Sequence, residues 1–231
     1  MPGPAGVLAL AIFLILVPWG AYRARSQIAH LAAMPREHYF RNVISQQFLF
    51  GCVALATMFG ERIDVHLGRV DVRAFAVALA LLGITVVVMA PHWKAAVVRR
   101  EPHLALIAPR TSRQRAWWIA VSLAAGISEE FVWRGVLAGL LVWITGAWWI
   151  AAGVTSVAFG VAHSLQGWKN ALVITAMALV MQGFVRWADG ILLAMLLHAA
   201  YDIAAGLSYG RLCDAAGMPV SAAEVAAARA S

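Results

Sequence analysis

The sequence predicts an all-α, polytopic transmembrane bundle of about seven spans. Three observations predict it. Of the 231 residues, 62% are hydrophobic and only 13% are charged, whereas soluble domains sit near half apolar and a quarter charged. The apolar residues are gathered into runs of roughly spanning length, separated by arginine-bearing connections. Within the runs there is no apolar–polar alternation, as Val86-Val87-Val88-Met89 and Ile191-Leu192-Leu193 show. That excludes a transmembrane barrel, whose strands must alternate. Helices remain, because an open sheet edge leaves backbone groups unsatisfied in lipid.

The expected spans run Ala5–Tyr22, Val43–Gly60, Val72–Pro91, Ala116–Val142, Trp148–His163, Ala171–Arg186 and Gly190–Tyr209. A span needs about 20 residues, so the fifth and sixth are short. The first has no positive charge before it, and Arg23 and Arg25 follow it. It reads as a retained span rather than a signal peptide. The first connection carries Arg23, Arg25, Arg36 and Arg41, and the third carries Lys94, Arg99, Arg100, Arg110, Arg113 and Arg115. The positive-inside rule puts both in the cytoplasm, with the N-terminus outside and the C-terminus inside. The third connection, His92 to Arg115, reads either as a basic element on the anionic leaflet or as a solvated loop.

A net charge of +7 raises nucleic acid as a partner. The basic residues form no continuous patch, so nucleic acid is excluded and membrane lipid is the expected neighbour. The Arg- and Ala-rich composition points to a bacterial plasma membrane. Cys52 and Cys213 are far apart and have no metal spacing. Trp117, Trp118, Trp148, Trp149 and Trp187 fall near span ends, as an aromatic belt predicts. The pairs Gly135/Gly139 and Gly206/Gly210 read as helix-packing motifs. Three parts are expected: 1–115, N-terminal helices with the basic loop; 116–210, a catalytic core of four helices; and 211–231, a short tail that is Ala-rich and frayed from Ser221.

The informative residues are the polar ones inside apolar runs. The fourth span holds Glu129, Glu130 and Arg134. A charge at mid-bilayer costs about 2.5–3.5 kcal/mol even on the insertion scale, so such groups face the bundle interior. Glu130 and Arg134 are i,i+4 and can pair. That leaves Glu129, which points about 100° away, without a structural account. His163 closes the fifth span. His198 and Asp202, again i,i+4, read as buried in the seventh. His30, His38, His66 and His103 lie in connections and His92 at a span end, so they read as solvated.

Glu129, Glu130, His163, His198 and Asp202 are the types that activate water: one group takes the proton and another stabilises an oxyanion. They are also zinc-ligand types, with His163, His198 and Asp202 as the candidate set. No H-E-x-x-H is present, so a metal site would need separate helices. A metal-independent mechanism stands beside the zinc one at this point. Two other readings also stand. A proton-coupled transporter builds relays from the same residues, although no inverted repeat is visible. A non-catalytic membrane scaffold or immunity protein would keep them for packing.

Glu129-Glu130-x-x-x-Arg134, Phe159-x-x-x-His163 and His198-x-x-x-Asp202, in that order on successive spans, resemble the motifs of the CPBP family, the CAAX-protease and bacteriocin-processing group. The resemblance covers roughly Ala116–Tyr209. It implies a membrane-embedded peptidase acting on a peptide or protein, with CAAX-type C-terminal processing of a lipid-modified substrate as one form. It implies Glu129 as general base helped by His163, Glu130 as a supporting carboxylate anchored by Arg134, Phe159 as a supporting residue, and His198 with Asp202 near the oxyanion. One departure stands out. CAAX endopeptidases carry Asn in the last motif, and this chain has Asp202. An ionised Asp cannot donate a hydrogen bond.

Overall fold

The computed structural model describes residues 1–218, and every regular element among them is helical. The helices are α1 (Pro4–Ala33), α2 (Arg36–Glu61), α3 (Val72–Val98), α4 (Leu104–Ile107), α5, α6 (Trp148–Ala162), α7 (Trp168–Ala188) and α8 (Leu192–Ala215). Helix α5 runs through Ser112–Glu130, a wider π-type turn at Phe131–Val136, and Leu137–Thr145. Five helices, α1, α2, α3, α7 and α8, are long and apolar enough to cross a membrane. Large apolar side chains such as Phe48, Phe59, Val87 and Leu172 point outward. Their solvent is lipid rather than water.

Local chemistry sets the helix ends. The Asp71 carboxylate accepts from Ala74 N–H at the start of α3, and Thr111 Oγ1 accepts from Gln114 N–H at the start of α5. Arg62, Gly146 and Asp189 stop α2, α5 and α7 in the left-handed conformation. The sequence ends the third span at Pro91, but α3 continues to Val98. Its last turns earn their place by packing: Trp93, Ala96 and Val97 are buried against Tyr209 and Cys213. Helix α7 starts at Trp168 and has 21 residues, so it is not short. Helix α6 is, with 15 residues, or about 22 Å against a hydrocarbon core of about 30 Å. Its early stop leaves His163 part-way through the bundle.

Helix α5 is the central element, packed between α2 and α8, with its last segment on α6. Helix α3 covers α8, and α1 lies along α2 and α6. Gly126 permits a close backbone approach of α5 to α8. A Cβ there would sit 2.8 Å from the Ala199 nitrogen and the Met195 carbonyl oxygen of α8. Those are backbone atoms and cannot step aside. The other small-residue pairs receive different partners from those the sequence suggests. Gly135 and Gly139 accept Val65 and Ile63 from the second connection, Gly206 accepts the Trp118 ring, and Gly210 faces the Pro109 carbonyl. Trp118 is therefore no belt residue: it is buried, and its Nε1–H donates to the Asp202 carbonyl at 2.8 Å.

The third connection is not a solvated loop. Its α4 turn is tucked into the bundle, with His103, Leu104, Leu106 and Arg110 buried. Arg36 donates to the Ala105 carbonyl at 2.7 Å, and Arg110 to the Asp214 carboxylate at 2.6 Å. His103, expected to be solvated, is 3% exposed. Helix α8 passes the expected boundary at 210, and the tail from Ser221 lies outside the described residues.

Gly126→Val is expected to cost about 1–3 kcal/mol through overpacking. Thermal unfolding in detergent reads this as a lowered midpoint, and an unchanged midpoint would contradict the close α5–α8 contact.

Candidate active site

Glu129 and Glu130 sit where α5 widens into its π-type turn, a distortion often found at functional sites. The two carboxylates point to different partners. Glu130 is fully buried, and its Oε1 accepts from Arg134 at 3.1 Å and from His198 Nδ1 at 2.7 Å. Arg134 is itself buried, with its guanidinium 4.4 Å from the Phe159 ring centre. The same ring lies 4.4 Å from the His163 ring and edge-on to Trp133 and His198. Phe159 thus packs against the Arg134 guanidinium and both imidazoles.

Glu129 is held differently. Its Oε1 accepts from Gln47 Nε2 at 2.6 Å. Gln47 lies on α2, where Ser128 Oγ also donates to its carbonyl at 2.8 Å. Oε2 makes no hydrogen bond. It faces His163 Nε2 at 3.9 Å and His198 Nε2 at 3.8 Å. These separations exceed a hydrogen bond but suit one bridging water.

The ring nitrogens have defined roles. His163 Nδ1 contacts the Phe159 carbonyl at 2.8 Å, and His198 Nδ1 contacts the Glu130 carboxylate. Carbonyls and carboxylates only accept, so both Nδ1 atoms carry hydrogen. Each neutral ring then offers a bare Nε2 toward Glu129 Oε2. Three acceptors converge, and they need a donor among them: a water molecule, or a second proton on one ring. Asp202 Oδ2 lies 3.6 Å from His198 Nε2. Its side chain is 28% exposed rather than buried as the sequence suggests. Among the described residues, no group of three or more His, Cys, Asp or Glu side chains is arranged to hold a metal ion. His163, His198 and Asp202 are not such a group.

All seven residues singled out in the sequence lie in or against this cluster. Gln47 is the one that sequence reading misses. Its signal is faint, a Gln46-Gln47 pair inside an otherwise apolar span. Only the α2–α5 packing shows which of the two turns inward: Gln47 is buried and Gln46 is exposed.

A helical membrane bundle with a carboxylate–imidazole centre, in which Oε2 of both Glu129 and Glu130 lacks a hydrogen-bond partner and that of Glu129 faces two imidazoles, has the makings of a membrane-embedded hydrolase. Residues 111–204 match the Rce1-like family, described as type II CAAX prenyl endopeptidase Rce1-like. The match spans the motif-bearing helices, less than half of the chain, and over them the chain is similar to the group that its motifs resemble. The similarity is to a family of membrane proteases. No curated protein and no solved structure matches the chain.

Arg134→Met is expected to lower stability by about 3–5 kcal/mol, because it leaves Glu130 buried without its cation. The double variant Glu130→Gln/Arg134→Met should recover much of that loss in detergent unfolding. Equal loss in single and double variants would mean that Arg134 acts through packing on Phe159 instead.

Proposed function

We propose that the protein is an intramembrane endopeptidase that hydrolyses a peptide bond with water activated by Glu129. The supporting observation is the unpartnered Glu129 Oε2, fixed from behind by Gln47 and facing two imidazole Nε2 atoms. A water bound there gives its proton to Glu129 as its oxygen attacks the substrate carbonyl carbon. The C–N bond then breaks, and the proton on Glu129 passes to the leaving amine. His163 Nε2 holds the water by accepting its second hydrogen. His198, with a carboxylate near each ring nitrogen, presents Nε2–H to the oxyanion when it carries its second proton. Asp202 thereby works through His198 and need not donate itself. Arg134 and Glu130 fix the His198 ring from below.

The substrate we propose is a lipid-modified or hydrophobic peptide of CAAX type, met at the cytoplasmic face of a bacterial plasma membrane. Seven spans, with the N-terminus outside, put the third connection and the α6 end on that face. The apolar lipid-facing surface around the site suits a substrate that arrives within the membrane.

Purified protein in nanodiscs should cleave a quenched prenylated CAAX peptide, and Glu129→Gln should lose about 10²–10⁴ of that rate while inserting normally. Bound zinc is measured on the same sample, before and after chelation. Full turnover by Glu129→Gln would sink the glutamate mechanism. Cleavage that tracks stoichiometric zinc and stops with chelator would do so too.

A further inference from the structure

A groove of about 500 Å³, open to the surface, lies where α2 and α5 start. Pro35, Glu37, His38 and Arg41 line it from the α2 side and Arg113 from the α5 side. Both arginines are exposed, and among the described residues neither has an ion-pair or hydrogen-bond partner. Other arginines of the same connections do find acceptors: Arg36 on the Ala105 carbonyl, and Arg110 and Arg115 on Asp214. Two guanidinium groups against the single Glu37 carboxylate leave the groove positive. The positive-inside rule assigns this end of the bundle to the cytoplasmic side, where anionic headgroups attract basic side chains.

The surface beyond the groove is apolar. Residues seven apart share a helix face, so Phe48 and Leu55 continue the stripe of Arg41 along α2, and Ile127 lies on the stripe of Arg113 along α5. All three are exposed, Phe48 at 75%. Along the helix axes, Phe48 stands about 10 Å from the arginine on its stripe, and Leu55 and Ile127 about 20 Å. The two helices run in the same direction here: Phe40 packs on Trp118 near the groove, and Gln47 bonds to Glu129 further in. The two stripes therefore flank one seam. Positive charge at one end, with exposed apolar side chains over the following turns, matches a molecule that has an anionic head and long apolar tails.

We propose that the groove binds the phosphodiester headgroup of an anionic phospholipid. Arg41 and Arg113 donate charge-assisted hydrogen bonds to the phosphate oxygens from two different helices, and the acyl chains lie along Phe48, Leu55 and Ile127. The positive groove favours a lipid of net negative charge over a zwitterionic one, whose own ammonium already neutralises its phosphate. Glu37 accepts from a headgroup hydroxyl. The bound lipid ties together the starts of α2 and α5, the helices that Gln47–Glu129 and Ser128–Gln47 join further in. Neither arginine takes part in the chemistry proposed above, so the site stands independently of the peptidase reading.

Delipidated protein in a neutral detergent is titrated with a fluorescent phosphatidylglycerol, and its unfolding midpoint is recorded with and without added phosphatidylglycerol. Wild type should bind saturably and gain in midpoint, as a ligand of the folded state requires; phosphatidylcholine should do neither. Arg41→Gln/Arg113→Gln should bind about tenfold more weakly and lose the gain, while its midpoint without lipid stays that of wild type, because both side chains are exposed. Lys94→Gln/Arg100→Gln removes the same charge from two exposed residues of the third connection and should bind as wild type does. Equal weakening in the two double variants overturns the site, since binding then follows net charge alone. Unchanged binding by Arg41→Gln/Arg113→Gln overturns it as well. Displacement of the labelled lipid by an equal concentration of inorganic phosphate would assign the groove to a free anion and overturn the lipid. Displacement by phosphatidylcholine as effective as by phosphatidylglycerol would show that no anionic head is read, with the same consequence.

Discussion

The structure hangs on the burial of Glu130. A carboxylate with no solvent contact at mid-helix is held only if cations and N–H donors meet it, since desolvating a lone charge costs several kcal/mol. Arg134 supplies the charge from the next turn of the same helix, and His198 supplies an N–H from α8. This demand fixes the rotation of α5 and the approach of α8. Gly126 permits that approach one turn earlier, and Trp118 ties α8 a further two turns back through the Asp202 carbonyl.

With those two helices fixed, Glu129 has little choice of direction. It is the next residue along α5 and must point to a different side, toward α2 and the end of α6. There it meets Gln47 and the two Nε2 atoms. One carboxylate is thus tied into the ion pair, and the other has one oxygen anchored by Gln47 and one facing the two imidazoles, as the proposed chemistry requires. The division of labour follows from neighbouring positions on a helix whose faces meet different helices. The short α6 completes it. Had it continued for another turn or two, His163 would lie inside a helical run rather than at its cap, where the ring turns back toward Phe159 and Glu129.

Several expectations drawn from composition fail for one reason: they assign polar residues in connections to water. The third connection is folded back onto α2 and α8, because Arg36 and Arg110 find carbonyl and carboxylate partners there. His103 is buried with it. A sequence pattern shows that a segment is polar. It does not show whether its polar groups are satisfied by solvent or by the protein.

The sequence by itself determined the solvent and the helical class, and it marked out the six polar side chains Glu129, Glu130, Arg134, His163, His198 and Asp202, whereas Phe159 entered only through the motif resemblance. It did so because charge inside an apolar run is costly enough to be legible one residue at a time. The i,i+4 pairing of Glu130 with Arg134 was equally legible, since it lies within one helix. Only the tertiary structure decided the partners between helices: Gln47 behind Glu129, the two Nε2 atoms in front of it, and Glu130 rather than Asp202 on His198 Nδ1. Those contacts join residues as many as 82 positions apart, and helix rotation and depth, which set them, leave no local trace in composition or spacing.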